Sequence, residues 1–152
     1  MPRQGSFFAC ALSALSTVLL AQDGDPSEPG LPALFTWADV DGDGRLELAA
    51  VHADGAFQLL CDAGDGRFED VTAEQGLSGI ANAALALWAD YDGDGRLDLF
   101  VGAREGASRL YHNDRGVFVD VGAMSGLVSE GPVLSAHWLD HDGDGRLDLH
   151  VV

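Results

Sequence analysis

The chain has 152 residues, with 25 acids against 8 strong bases and a formal net charge of −17. So acidic a chain excludes phosphate-backbone binding and docking on anionic membranes as main activities, because both need a basic face. Hydrophobic residues still make up 47% of it, which separates it from acidic disordered chains, and the length suits one domain or part of one.

At the amino terminus Arg3 precedes an apolar run from Phe7 to Ala21, a stretch of about 15 residues that is short for a bilayer roughly 30 Å thick. The positive charge, the short apolar run and Ala21-Gln22-Asp23 read as a secretory signal peptide over residues 1–21. That predicts a secreted protein, extracellular or periplasmic. Residues 22–32, rich in Pro and Gly, read as a linker. Of the two cysteines, Cys10 lies in the signal segment and Cys61 is left unpaired. A small secreted domain without disulfides must be held together in another way, which directs attention to metal.

The remainder repeats itself. Trp37, Trp88 and Trp138 are 51 and then 50 positions apart, and each opens the same block: WADVDGDGRLEL, WADYDGDGRLDL, WLDHDGDGRLDL. Phe68-Glu69-Asp70-Val71 matches Phe118-Val119-Asp120-Val121, and Gly76-Leu77 matches Gly126-Leu127, each at an offset of 50. The period predicts repeats at about 33–82 and 83–132, with 133–152 incomplete. Within a repeat the hydrophobic period is two, as in strands. Leu34–Trp37 leads into the first acidic block, and Leu46–Val51 leaves it. Asp54-Gly55 turns into a strand around Gln58–Cys61, and Gly64-Asp65-Gly66 turns into a fourth at Phe68–Thr72. Leu97–Val101 is the outgoing strand of the second copy. Four short antiparallel strands per fifty residues is the arithmetic of one propeller blade.

The acidic blocks carry the chemistry. Acids stand at loop positions 1, 3, 5 and 9: Asp39, Asp41, Asp43 and Glu47, then Asp90, Asp92, Asp94 and Asp98, then Asp140, Asp142, Asp144 and Asp148. Glycines such as Gly42 and Gly44 let the loop turn tightly enough for the acids to converge. Two unit charges about 5 Å apart repel by roughly 3 kcal/mol at an effective dielectric near 20, so such a loop opens unless a cation closes it. Hard oxygens in this number favour Ca²⁺, with the backbone carbonyl at position 7 (Arg45, Arg96 and Arg146) as a further ligand. The three arginine side chains are expected to point to solvent. Mg²⁺ suits the set less well because it keeps its own waters, and zinc less well because the set holds no histidine or thiolate. An EF-hand ends its loop on Glu at position 12, where this chain has Ala50, Val101 and Val151, and its flanks are helices.

The pattern W-x-D-x-D-G-D-G-R-L-D/E-L, with the later F-x-D-V and G-L, resembles the FG-GAP/VCBS repeat family. In particular it is similar to the repeat region of bacterial secreted proteins that carry an ASPIC/UnbV-type domain. The resemblance covers about residues 33–152 and implies calcium-loaded β-propeller blades like those of the integrin α-chain head. It assigns the twelve acids and the three arginine carbonyls as calcium positions, with Glu47 a mild departure from Asp. The fold expected is all-β, a partial β-propeller of about 2.4 four-stranded blades. Because the third copy stops after the strand leaving its loop, the chain reads as a piece of a larger ring or as an array that associates through open blade edges.

The histidines His52, His112, His137, His141 and His150 form no catalytic constellation in the sequence, and no nucleophile elbow or nucleotide fingerprint occurs. His141 stands where the other copies have Val40 and Tyr91, and His112 aligns with Asp62, so both read as surface residues. The tryptophans read as blade packing and Cys61 as a packed strand residue. The chain is therefore expected to be a non-enzymatic, calcium-binding scaffold for a protein or glycan partner, with a fragment of a larger propeller enzyme as the alternative.

Overall fold

The computed structural model describes residues 32–63, 67–127 and 131–152. The expected signal peptide, nearly all of the linker and the turn at 64–66 lie outside the described residues.

The first repeat folds as four strands: β1 (Pro32–Ala38), β2 (Glu47–His52), β3 (Phe57–Asp62) and β4 (Phe68–Asp70). The second repeats them as β5 (Ala83–Ala89), β6 (Asp98–Ala103), β7 (Arg109–Asp114) and β8 (Val117–Asp120). The third contributes β9 (Ala136–Leu139) and β10 (Asp148–Val151). Each complete repeat is an antiparallel sheet in sequential order, β1-β2-β3-β4 and β5-β6-β7-β8, and β9 pairs with β10 as a two-stranded sheet. The repeats agree down to an irregularity: register shifts between Pro32 and Leu34, and again between Ala83 and Leu85. A single helical turn at Gly122–Ser125, which the strand periodicity does not predict, follows β8.

The sheets stack face to face, and the period-two pattern assigns each strand residue to one interface. Ala49, Val51 and Leu59 of the first sheet meet Leu99, Val101, Tyr111 and Phe118 of the second in one core cluster. Phe100 and Leu110 face the opposite way, against Val133, Ala136, Trp138 and Leu149 of the third repeat. Every residue of β2 and of β6 is buried, which is why both strands read as nearly continuous apolar runs.

The repeated motifs have structural roles here. Trp37 meets Phe68 edge-on at 6.2 Å, and Trp88 meets Phe118 at 5.8 Å. Trp138 stacks instead on Tyr91 of the preceding repeat, at 6.1 Å and 10°. The tryptophans thus pack within and between sheets, as their strand positions predict. The Asp of F-x-D-V closes a turn: Asp70 Oδ1 accepts Thr72 N at 3.0 Å, and Asp120 Oδ1 accepts Gly122 N at 3.0 Å. Gly76 of G-L, at φ +81°, lies so close to β8 that a Cβ would meet the Phe118 carbonyl oxygen at 2.6 Å. Gly55, at φ +89°, approaches Asn82 as closely and joins the first β2–β3 turn to the start of the second repeat.

Candidate metal centres

The three acidic loops connect β1 to β2, β5 to β6 and β9 to β10, so each hangs between the first two strands of its repeat. Their internal wiring is nearly identical. The acid at position 1 accepts from the glycine amides at positions 4 and 6: Asp39 from Gly42 (2.8 Å) and Gly44 (3.0 Å), Asp90 from Gly93 (2.8 Å) and Gly95 (2.9 Å), Asp140 from Gly143 (2.8 Å) and Gly145 (3.0 Å). The acid at position 3 accepts the amide at position 5, and the acid at position 5 accepts the amide of the arginine at position 7. The glycines at positions 4 and 6 hold φ between +77° and +88°, a left-handed backbone that lets the chain coil around its own carboxylates. The acid at position 9 closes the loop from the outgoing strand. Glu47 accepts Val40 N (2.9 Å), Asp98 accepts Tyr91 N (3.3 Å), and Asp148 accepts His141 N (2.9 Å).

This wiring gathers carboxylates. Asp39, Asp41 and Asp43 converge in the first loop, Asp90, Asp92 and Asp98 in the second, and Asp140, Asp142 and Asp148 in the third, each group with one ligand atom per residue lying within 4.8 Å of the others. A cation with metal–oxygen distances of about 2.3–2.6 Å can touch oxygens up to about 5 Å apart, so the donor sets fit Ca²⁺. Each set here is made wholly of carboxylate oxygens, the hard donors that calcium takes.

Four details differ from the sequence reading. Glu47 does not join the first group: it is 1% exposed and sits with one oxygen on Val40 N and the other 3.9 Å from Cys61 Sγ. Its longer arm carries the carboxylate under the loop. Neither Arg45 nor Arg96 simply points to solvent. Arg45 folds back on Asp43 at 2.7 Å, while Arg96 pairs with Asp94 and donates from Nε to the Asn113 carbonyl at 2.8 Å. In a loop so dense with acid, the guanidinium supplies the nearest counter-charge. Asp94 and Asp144, at position 5, stand outside the all-carboxylate groups of their loops. Finally, His112 is not a bystander. Its Nδ1 lies 3.1 Å from Asp92 and 3.3 Å from Asp98, and it forms a second converging group with Asp92 and Asp94. That group adds an imidazole to the second loop alone among the described loops. Alignment of the copies could not find it, because His112 reaches the loop from β7 across the sheet.

Burial shifts the protonation of two buried ninth acids, Glu47 and Asp98. The Glu47 and Asp98 carboxyls are pushed above their ordinary values of 4.5 and 3.8, chiefly by desolvation, with the loop carboxylates adding to it and backbone amides opposing it. A carboxyl raised in the folded chain holds more protons there than in the unfolded chain. Its contribution to stability is therefore present at low pH and lost as pH rises from the ordinary value through the raised one. Asp43, lowered by Arg45, acts in the opposite sense but is open to solvent, where the effect is weak. Without divalent cations the protein should melt higher near pH 5 than near pH 7 in calorimetry. A melting temperature that climbs toward neutral pH would contradict this assignment.

Face-packed antiparallel sheets built from one repeated acidic-loop hairpin define an all-β repeat protein of propeller-like architecture. The FG-GAP-like repeat family model matches residues 39–101 and again 90–151, and the chain belongs to that family. The two matches overlap at the second loop, so each runs from one acidic loop through the next. No curated protein matches the chain significantly.

Proposed function

We propose that this is a secreted, calcium-binding interaction module, not an enzyme, whose sheets are blades of a propeller-type array. By that reading residues 33–152 supply about 2.4 blades, two of four strands and one begun. The observation that supports it best is the convergence of three carboxylates in each of three loops built on the same backbone wiring. One ion per loop would be held by the acids at positions 1, 3 and 5, by the ninth acid in the second and third loops (Asp98 and Asp148), and by the carbonyl of Arg45, Arg96 or Arg146, with Glu47 supporting the first loop from beneath. Calcium cancels the repulsion among the carboxylates and fixes the hairpin that begins each blade. Arg45 and Arg96 would then release Asp43 and Asp94 to the ion. The rigid surface so made is offered to a protein or glycan partner.

Calorimetric titration of the full chain with calcium tests the reading. Extracellular modules bind calcium with dissociation constants of about 10⁻⁴–10⁻³ M. Uptake in that range at three ions per chain, with magnesium failing to compete at equal concentration, is the expected result.

A further inference from the structure

We propose that Asn113 joins the first and second acidic loops into one cooperative cation-binding unit, an inference that rests on reading the loops as calcium sites. Asn113 is the next-to-last residue of β7, is fully buried, and uses every hydrogen-bonding group it has. Its backbone N–H donates to Asp98 Oδ1 at 2.8 Å, which fixes the ninth acid of the second loop. Its side-chain Nδ2 donates to the Val40 carbonyl at 2.7 Å and to the Leu97 carbonyl at 2.9 Å. Its Oδ1 accepts Gly116 N at 2.7 Å, and its carbonyl accepts Arg96 Nε at 2.8 Å.

Val40 is the second residue of the first loop, and its own N–H is held by Glu47, that loop's ninth acid. A buried chain of contacts therefore runs from Glu47 to the Val40 N–H, across the Val40 backbone to its carbonyl, and through Asn113 to Asp98. The same hairpin touches the first loop again, because a Cβ on Gly116 would lie 3.6 Å from the Asp41 Cβ. The aligned position in the first repeat is Ala63, which has no side chain able to make these bonds.

An ion in the second loop orders Asp98 and the Asn113 backbone that holds it. Ordering Asn113 fixes the Val40 peptide, and with it the entry to the first loop. The second ion then binds a loop already arranged, so the two sites favour each other. Direct repulsion between two divalent ions has the opposite sign. Positive coupling is thus diagnostic of the network and not of electrostatics.

The test is a calcium titration of the full chain followed by amide NMR, with Gly44, Gly95 and Gly145 reporting on the three loops separately. Loop 2 is disabled by Asp92→Asn with Asp94→Asn, which keeps the acceptors for the loop amides. The Gly44 midpoint should move to calcium concentrations about fivefold higher or more, the lower end of typical allosteric couplings. Gly145 should move less than Gly44, because the second loop reaches the third only through the Tyr91–Trp138 stack and no buried hydrogen bond corresponding to that of Asn113 is found there among the described residues. In Asn113→Ala the same loop-2 substitutions should no longer move Gly44. If all three glycines respond to calcium but disabling loop 2 leaves the Gly44 midpoint in place, the coupling is wrong and the calcium reading survives. If none responds, the calcium reading falls and the coupling with it. If Asn113→Ala does not fold, Asn113→Asp, which keeps the acceptor for Gly116 N but removes the donor to the Val40 carbonyl, takes its place, and a Gly44 midpoint that loop-2 substitutions still move in either variant would overturn the role of Asn113.

Discussion

Replacing Asp98 with alanine should cost about 2–5 kcal/mol of stability, because two amides lose their acceptor and an unsatisfied buried donor costs about 1–3 kcal/mol. The carboxylate is 0% exposed and holds Tyr91 N on one oxygen and Asn113 N on the other. Asp98→Asn keeps one acceptor and should lose about half as much. Asp148→Ala is the control. It removes the same loop position in the third repeat, where the residue is exposed and, among the described residues, accepts only the His141 amide. It should cost less than about 1 kcal/mol, the usual scale for exposed sites. Urea unfolding in EDTA measures all three without any contribution from bound metal. Equal losses for Asp98→Ala and Asp148→Ala would show that burial of the ninth acid is not what matters.

Gly76→Ala should be comparably damaging for a different reason. An L-residue in the left-handed region costs about 1–2 kcal/mol, and here the added Cβ would also meet the Phe118 carbonyl at 2.6 Å. That carbonyl cannot retreat freely. Phe118 N donates to Gln75 O at 2.8 Å, and the Phe118 ring is part of the core between the two sheets. With a backbone shift added, the loss should reach about 3 kcal/mol or more, within the range of strained buried sites. Gly79→Ala isolates the backbone contribution: Gly79 has φ +80° but faces open space, so it should cost only about 1–2 kcal/mol. Thermal unfolding of the two variants side by side separates strain from clash. If Gly79→Ala proves as harmful as Gly76→Ala, the close approach of the repeats at Gly76 carries no energetic weight.

Most of the architecture was legible because each repeat is locally consistent. The period-two alternation around Trp37 and Leu48, the Asp54-Gly55 turn and the fifty-residue offset leave little choice but sequential antiparallel strands. The loops were equally legible, since glycines at positions 4 and 6 and acids at 1, 3, 5 and 9 wire into one shape whichever repeat they occupy. What sequence could not show is how one repeat leans on another. Asn113 looks like one more polar residue near a turn until Val40, 73 residues earlier, is found on its amide. His112 reads as filler when aligned with Asp62, because its partners Asp92 and Asp98 come from a loop and a strand beside it, not from its own neighbourhood. Glu47 and Asp98 look interchangeable in the repeat. One extra methylene carries the Glu47 carboxylate past the converging group and under the loop, whereas Asp98 stays within it.

If the proposed function is right, these loops take calcium and calcium holds the hairpins together. Calorimetric titration of the full chain with calcium tests it most directly. The expected result is uptake of three ions per chain at about 10⁻⁴–10⁻³ M calcium, with magnesium a poor competitor. A flat titration, or one in which magnesium serves equally well, would contradict it and leave the loops as acidic turns closed by their own amides and arginines.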